Sequence, residues 1–385
     1  MVKILFRPSS TTKVRRPPRY LAFTAMEDGV SIGYKYAADE IDPVDIHLKI
    51  EYSLDGGTTW DLYTVARRNE DVKSINLNSR ETVLFRGNNQ NLAYYQEKES
   101  QWQFTTFVIK GLVAASGDVT SLLNKFGYEA RLESDCFHSL FKDCTRLVSA
   151  PSLPSENIAP HCYSDMFYGC TLLAEAPALP ATSLQQGCYH NMFYGCTSLA
   201  EAPALPATTL ESYCYHSMFQ GCTSLAEAPV LPATTLASYC YRAMFQGCTS
   251  LAKAPALPAT TLASYCYRAM FQGCTSLAEA PALPATTLES YCYHSMFYGC
   301  TSLAEAPVLP ATTLASYCYH SMFYGCSSLN YIKALFTTEP NDYYTNNWVA
   351  GVASKGVFVK SNDASWNVLG VNGVPQDWVI EVQSV

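Results

Sequence analysis

The sequence predicts an α+β solenoid protein. An N-terminal antiparallel β-sandwich-like domain should be followed by a repeat solenoid with a short-stranded parallel sheet on one face and helical turns on the other. Three observations predict it. A 26-residue unit recurs from Cys136 without a single insertion, the sequence before it alternates apolar and polar residues in short runs, and 48% of the 385 residues are hydrophobic. A chain this apolar, with only 15% charged residues, is not a disordered one.

The repeat comes first because it fixes everything else. The leading cysteine of each copy falls at Cys136, Cys162, Cys188, Cys214, Cys240, Cys266, Cys292 and Cys318, and a second follows eight residues later, from Cys144 to Cys326. All 16 cysteines are thus in register. A fixed period in the range of about 20 to 50 residues marks units that cannot bury their apolar faces alone and stack on their neighbours. Five regions follow: a basic arm (1–19), a small β-domain (20–112), an N-terminal cap of the solenoid (113–135), the solenoid itself (136–330) and a Trp-rich C-terminal cap (331–385).

Before the repeats, "YLAFTA", "VDIHLKIEYSL", "SINLN", "ETVLFRG" and "FTTFVIKG" alternate apolar and polar residues between Gly, Asn and Asp clusters, the pattern of half-buried strands. Ser53 to Trp60, "SLDGGTTW", matches the SxDxGxTW pattern of the Asp-box hairpin found in sialidases and many other β-proteins. Asp55 can tie back to turn amides, Gly56 and Gly57 tolerate positive φ, and Trp60 can pack on its own hairpin. A sialidase would carry several such boxes and a cluster of substrate-binding arginines. One box therefore predicts a hairpin, not a hydrolase.

In the cap, Leu132 lies four residues before Cys136, as Leu210 lies four before Cys214, so the stack should begin before its first full copy. Inside a copy, Met218, Phe219, Leu225 and Leu231 stand at columns that hardly vary between copies. Like packing on like one rung further on requires such uniformity, and these are the expected core positions. "SLAEAPVL" reads as the short strand, "PATTL" as a turn and "SYCYHSMF" as a helical turn ended by Gly221. Pro229 stands mid-strand, at a column shared with Pro151, Pro177, Pro203, Pro255, Pro281 and Pro307. Proline cannot donate to a ladder, so the sheet should be two or three residues wide. From Tyr331 the register dissolves, and Trp348, Trp366 and Trp378 are suited to cover the open end of the core.

Eight residues of helix advance about 12 Å, beyond the roughly 7 Å Cα limit of a disulfide. Buried reduced thiols in two ladders are the first expectation for the cysteines, with disulfides the alternative in an exported protein. Metal binding has little support, because Ser164, Arg242 and Arg268 replace the recurring His two residues after the leading Cys. Sixteen equivalent thiols are also not nucleophiles, since a nucleophile is made unique by its surroundings.

The net charge of −8 argues against general nucleic-acid binding. One basic stretch exists, with Lys3, Arg7, Lys13, Arg15, Arg16 and Arg19; it is a solvated tail or an arm for an acidic partner. No run of about 18 apolar residues is present to span a membrane, and the charged, Pro-rich start predicts no signal peptide. No nucleophile with its base, metal cluster or phosphate loop is found, so the chain is expected not to be an enzyme and to need no cofactor.

"MFYGCTSLAEAPVLPATTL" resembles the BspA-like branch of bacterial leucine-rich repeats, whose units share an aromatic residue, a Gly-Cys pair, Ser-Leu and a following Pro. The likeness covers Cys136 to about Leu329, and "GLVAASGDVTSLL" and the Trp-rich tail resemble segments flanking such arrays. Small Ala228 and Val230 depart from it, at strand positions usually held by Ile. The resemblance implies a leucine-rich-repeat solenoid, binding without catalysis and a place on the cell surface, where members are commonly adhesion proteins. The predicted lack of a signal peptide leaves virion and cytoplasm open as locations.

Binding residues are sought where otherwise near-identical copies differ. The first such stripe holds His190, Tyr194, His216, Arg242, Arg268, His294, Tyr298, His320 and Tyr324, and the second Glu201, Glu227, Lys253, Glu279 and Glu305. A polar solvated face is the alternative for both. Tyr and Arg in rows suit a protein or glycan ligand on a cell surface. The expected function is a surface-adhesion binding module, with self-assembly or docking through the β-domain and residues 1–19. The alternative is a structural or receptor-binding subunit of a bacteriophage virion, in its tail or as a capsid decoration.

Overall fold

The computed structural model describes residues 19–38, 48–66, 70–96, 101–125 and 131–383. Except for Arg19, the basic arm lies outside the described residues. In chain order the strands are β1 (Leu21–Ala25), β2 (Val30–Ala38), β3 (Ile50–Ser53), β4 (Asp61–Tyr63), β5 (Ile75–Leu77), β6 (Thr82–Gly87), β7 (Ala93–Gln96), β8 (Gln101–Lys110), β9 (Val113–Ser116), β10 (Leu147–Ser149), β11 (Tyr331–Ala334), β12 (Val357–Ser361) and β13 (Val379–Gln383).

Two sheets build the N-terminal part, in the orders β10-β9-β1-β6-β3-β4 and β5-β2-β8-β7. The alternation read in "TVLFRG" is realised in β6, where every second residue is buried. Phe23 and Phe85 of the first sheet meet Phe107 of the second, with ring centroids 4.7 and 5.3 Å apart. The Tyr34 backbone N–H donates to the Tyr63 hydroxyl at 2.9 Å, which ties β2 to β4 across the layers. Between β3 and β4, Asp55 accepts from the amides of Thr58 and Thr59 and from the Thr59 hydroxyl, and those bonds hold its carboxyl well below the usual range. The Trp60 indole donates to the Gly57 carbonyl at 3.0 Å, and its ring lies between Tyr20 and the Arg86 guanidinium.

The sheet does not stop where the sequence placed the boundary after residue 112. β9 pairs antiparallel with β1 and parallel with β10, which belongs to the first repeat. Phe107 of the β-domain also stacks on Phe141 of that repeat at 5.5 Å. Residues 113–116 are thus a strand of the N-terminal sheet as well as the start of the solenoid.

The segment expected to be a helical turn is not helical. Among the described residues the single helix is a 3-10 turn at Val119–Leu122, capped by the Asp118 carboxylate. In the copy opening at Cys188, His190, Met192, Tyr194 and Cys196 donate to carbonyls three residues back. Tyr189, Asn191, Phe193 and Gly195 instead donate to Cys214, His216, Met218 and Gln220 of the next copy, at 2.8–3.0 Å. Every fourth residue is left-handed: Gly187, Asn191 and Gly195 have φ of 57°, 51° and 70°. An α-helix would spend its interior N–H groups within the copy, whereas this train of turns keeps half of them for its neighbour. Gly221, with φ of 75°, is one position in that series and ends no helix. The α+β label is accordingly replaced by a repeat protein of strands, single bridges and turns.

The opposite face is narrower than the proline column led us to expect. From Ser149 to Glu279 each pair of neighbouring copies makes one isolated parallel bridge there, as in Glu175 to Glu201, Glu201 to Glu227 and Glu227 to Lys253. At the end of the stack Lys333 stands 26 residues after Pro307, where the next proline would fall, and the bridge broadens into β11, which pairs in parallel with β12 and through it with β13.

The register also continues past Tyr331, contrary to the sequence reading. Phe323 donates to the Trp348 carbonyl at 2.8 Å and Gly325 to that of Ala350 at 2.7 Å, and Asn347 and Gly351 take the left-handed positions. Sequence similarity is lost at this rung while its backbone scheme persists.

Equivalent residues form columns through the core. Phe141, Phe167, Phe193, Phe219, Phe245, Phe271, Phe297 and Phe323 stack at 5.3–5.8 Å with nearly parallel rings, and Trp348 closes the row. Trp366 and Trp378 are also buried, each donating its indole N–H to a backbone carbonyl. All sixteen cysteines are free, buried thiols. From Cys170 on, each second cysteine donates to the carbonyl of the Phe 29 residues earlier, as Cys222 does to Phe193 at 3.1 Å. Burial pushes these thiols up, to about 12 at Cys274 and Cys326, which makes them inert in the folded rod.

Candidate functional site

The train of turns determines which side chains face outward. Residues at the leading Cys and one, four, five and eight positions after it are buried, as at Cys240, Tyr241, Met244, Phe245 and Cys248. Positions two and six remain on the surface side at Arg242 and Gln246, half-buried. Because copies are in strict register, every such position becomes a row.

Five residues of the first stripe are brought together. Tyr194, His216, Arg242, Arg268 and His294 line one shallow groove of about 440 Å³, with Gln220, Gln246 and Gln272 along its floor and Ala243 and Ala269 between them. The other four extend the row beyond the groove. His190 stacks on His216 at 4.7 Å, His320 on His294 at 4.5 Å, and Tyr324 on Tyr298 at 4.7 Å.

One feature of this face was missed by sequence reasoning, and another was read only in part, as Gln246 of the variable stripe. One is a ladder of half-buried tyrosines, Tyr213, Tyr239, Tyr265, Tyr291 and Tyr317, stacked at 4.5–4.7 Å. Its signal was the Tyr before the leading Cys in every copy from Cys214 on. The other is the row of Gln220, Gln246 and Gln272. Arg242 and Arg268 lie over the tyrosine ladder, each guanidinium 5.7 Å from the Tyr239 or Tyr265 ring.

The electrostatics of the groove follow from partial burial. Burial and the neighbouring His190, Arg242 and Arg268 charges hold His216 down to about 3, and burial with the Arg268 and His320 charges holds His294 down to about 4. Both imidazoles are neutral at pH 7, and the buried Nδ1 of His216 has no hydrogen-bond partner. Burial, then the Arg268 charge, lowers the Arg242 pKa as well.

The second stripe lies apart from the first. Glu201, Glu227, Lys253 and Glu279 sit at the isolated bridges, Glu305 bridges to Tyr331, and all five are exposed. Glu279 and Glu305 border a separate depression of about 500 Å³ whose walls are otherwise Ala278, Ala280, Ala304, Ala306 and Pro307. No residue lines both hollows. Among the described residues no group of three or more His, Cys, Asp and Glu side chains is arranged to hold a metal ion, and no helix is long and apolar enough to cross a membrane.

Comparison with known proteins places the repeats. No curated protein and no solved structure matches the chain. Six copies of the BspA type leucine rich repeat region match residues 137–252 and 237–343, which together run over more than half of the sequence. The matched region holds the stacked phenylalanines, both cysteine ladders except Cys136, and the groove, and leaves the "SLDGGTTW" hairpin outside it. The chain belongs to the BspA-type leucine-rich repeat family.

Proposed function

We propose that this protein is a non-catalytic binding module of the surface-adhesion type, and that the groove face from His190 to Tyr324 is where a protein or glycan ligand docks. Repeats of this family point to binding or adhesion in general. The observation that carries the finer reading is the separation of constraint from variation. The core columns, such as those of Met218, Phe219, Leu225 and Leu231, hardly change between copies and are buried in the rod, whereas the variable columns two, three and six residues after the leading Cys meet in one groove. A surface that varies while its scaffold does not is a surface free to be fitted to a ligand.

Binding to a panel of glycans and extracellular proteins, immobilised as an array, tests this. Changing His294, Tyr298, His320 and Tyr324 together to Ala should lower binding by about tenfold or more, the loss expected when aromatic contacts of an interface are truncated. An unfolding temperature close to that of the parent would show the rod intact. Unchanged binding would remove this face as the docking surface. The virion-subunit reading rests on the arm at residues 1–19 together with the small β-domain, and a clean monomer on size measurement of the intact chain would count against it.

A further inference from the structure

The copies differ most in charge at the middle of the rod. Residues 240–265 carry Arg242 and Lys253 and no acidic residue, whereas residues 188–213 carry Glu201 and Glu211, residues 214–239 carry Glu227, and residues 292–317 carry Glu305, none of them with a basic residue. Arg268 follows in the next copy, so two guanidinium groups stand on adjacent rungs of a chain whose net charge is −8. The column five residues before them holds no acid there: Ala237 precedes Arg242 and Ala263 precedes Arg268, as Gln185 precedes His190 and Ala315 precedes His320, while Glu211 precedes His216 and Glu289 precedes His294. Neither arginine therefore has a carboxylate at that position of its own turn.

Among the described residues neither arginine has a carboxylate partner, although Arg86, Arg131 and Arg146 each pair with a glutamate. Two like charges side by side in a half-buried groove repel each other, and each loses part of its hydration. An anion between them would relieve both costs, and guanidinium groups are suited to the flat, forked geometry of a carboxylate or sulfate. The flanking His216 and His294 are neutral and add no charge of their own, while Gln246 and Gln272 offer amide donors and acceptors next to the pair.

We infer that Arg242 and Arg268 form a recognition site for the acidic group, carboxylate or sulfate, of a glycan lying in the groove. This rests on the groove being the docking face and names what the face selects. A glycan fits better than an acidic peptide because the lining is almost wholly hydrogen-bonding, with Ala243 and Ala269 as its only aliphatic residues. A hydroxyl-rich ligand finds partners there, whereas a peptide finds no apolar pocket for an anchoring side chain. The positive charge is confined to two rungs, so the ligand carries one or a few acidic groups in place of a dense row of them.

The test is calorimetric titration of the full chain with four probes: a uronate-bearing oligosaccharide, a sulfated oligosaccharide, their uncharged parent and an acidic peptide of similar length. Arg242→His and Arg268→His are the variants of choice, because the same column already holds His216 and His294. Tighter binding of an acidic oligosaccharide than of its parent, weakened about tenfold or more in the double variant, supports the site. The uronate and sulfate probes tell which acid it takes. Equal binding of charged and uncharged oligosaccharides, no binding of either acidic one, or indifference to both substitutions would overturn it. An acidic peptide binding as tightly with the same arginine dependence would overturn the glycan assignment. If array binding still falls in the His294, Tyr298, His320 and Tyr324 variant while the arginine variants behave as the parent, the docking face stands and the anion site alone fails.

Discussion

The middle rungs and the last rungs of this rod solve the same stacking problem differently. In the middle, the face carrying Pro203, Pro229 and Pro255 makes one bridge per copy, and the ladder between copies runs along the turns through groups such as Tyr215, Ser217 and Phe219. At the C-terminal end the proline column stops and a parallel sheet of four to five residues per strand appears at once in β11, β12 and β13. The turn ladder continues into the last rungs, so one residue type at one position decides whether a rung adds a second ladder on the other face. A solenoid needs a continuous ladder on one side only.

The most severe test attacks the side on which the middle depends. Phe245→Ala opens a gap within a column whose rings stack on the rungs above and below, and should cost about 3–5 kcal/mol, read as a drop in thermal midpoint. A loss below about 1 kcal/mol would mean that the column is not what holds the rungs together. Next in size is Val359→Pro, which imposes the middle's proline on the central strand of the terminal sheet. It removes a ladder donor and should cost about 1–3 kcal/mol. Hydrogen exchange should speed up in β11 and β13 and stay slow around Cys240. Uniform protection would show that proline does not set the width of the sheet.

A test that reads pH dependence lies in the first rung. Asp135 is left-handed, with φ of 65°, and one of its buried carboxylate oxygens has no partner. Burial raises its pKa from 3.8 to about 7. The folded state therefore holds a proton that the unfolded chain releases above pH 3.8. Its contribution to stability is fully present below that value and is lost as pH rises through about 7. Asn accepts the same backbone and never ionises. Asp135→Asn should raise the thermal midpoint at pH 8 and leave it nearly unchanged at pH 4. A difference that does not vary with pH would refute the burial of a protonated carboxyl.

Much of this was legible in the sequence because a fixed period leaves little freedom. The Phe219 column, the buried cysteines and the narrow proline face follow from counting and from the missing N–H of proline. The helix was misread for a physical reason. Cys214, Tyr215, Met218, Phe219 and Cys222 recur with the spacing of a helix, but a chain reset by a left-handed residue every fourth position buries the same set. Left-handed residues announce themselves when they are glycine, as at Gly195 and Gly221. Asn191, Ser217 and Ala243 at equivalent sites give no such signal. The variable rows of the groove could be read by comparing copies, whereas the tyrosine ladder could not. Tyr213 and its equivalents do not vary from Cys214 on, and constancy was taken to mean interior.

The contacts that join residues 214–239 to residues 240–265 are nearly those that join the next pair. Removing one whole unit, or adding one, would leave each remaining seam as it was, whereas removing ten residues would break every seam it touched. The molecule can therefore change its reach only in whole steps, and each step brings with it a freshly editable patch of surface.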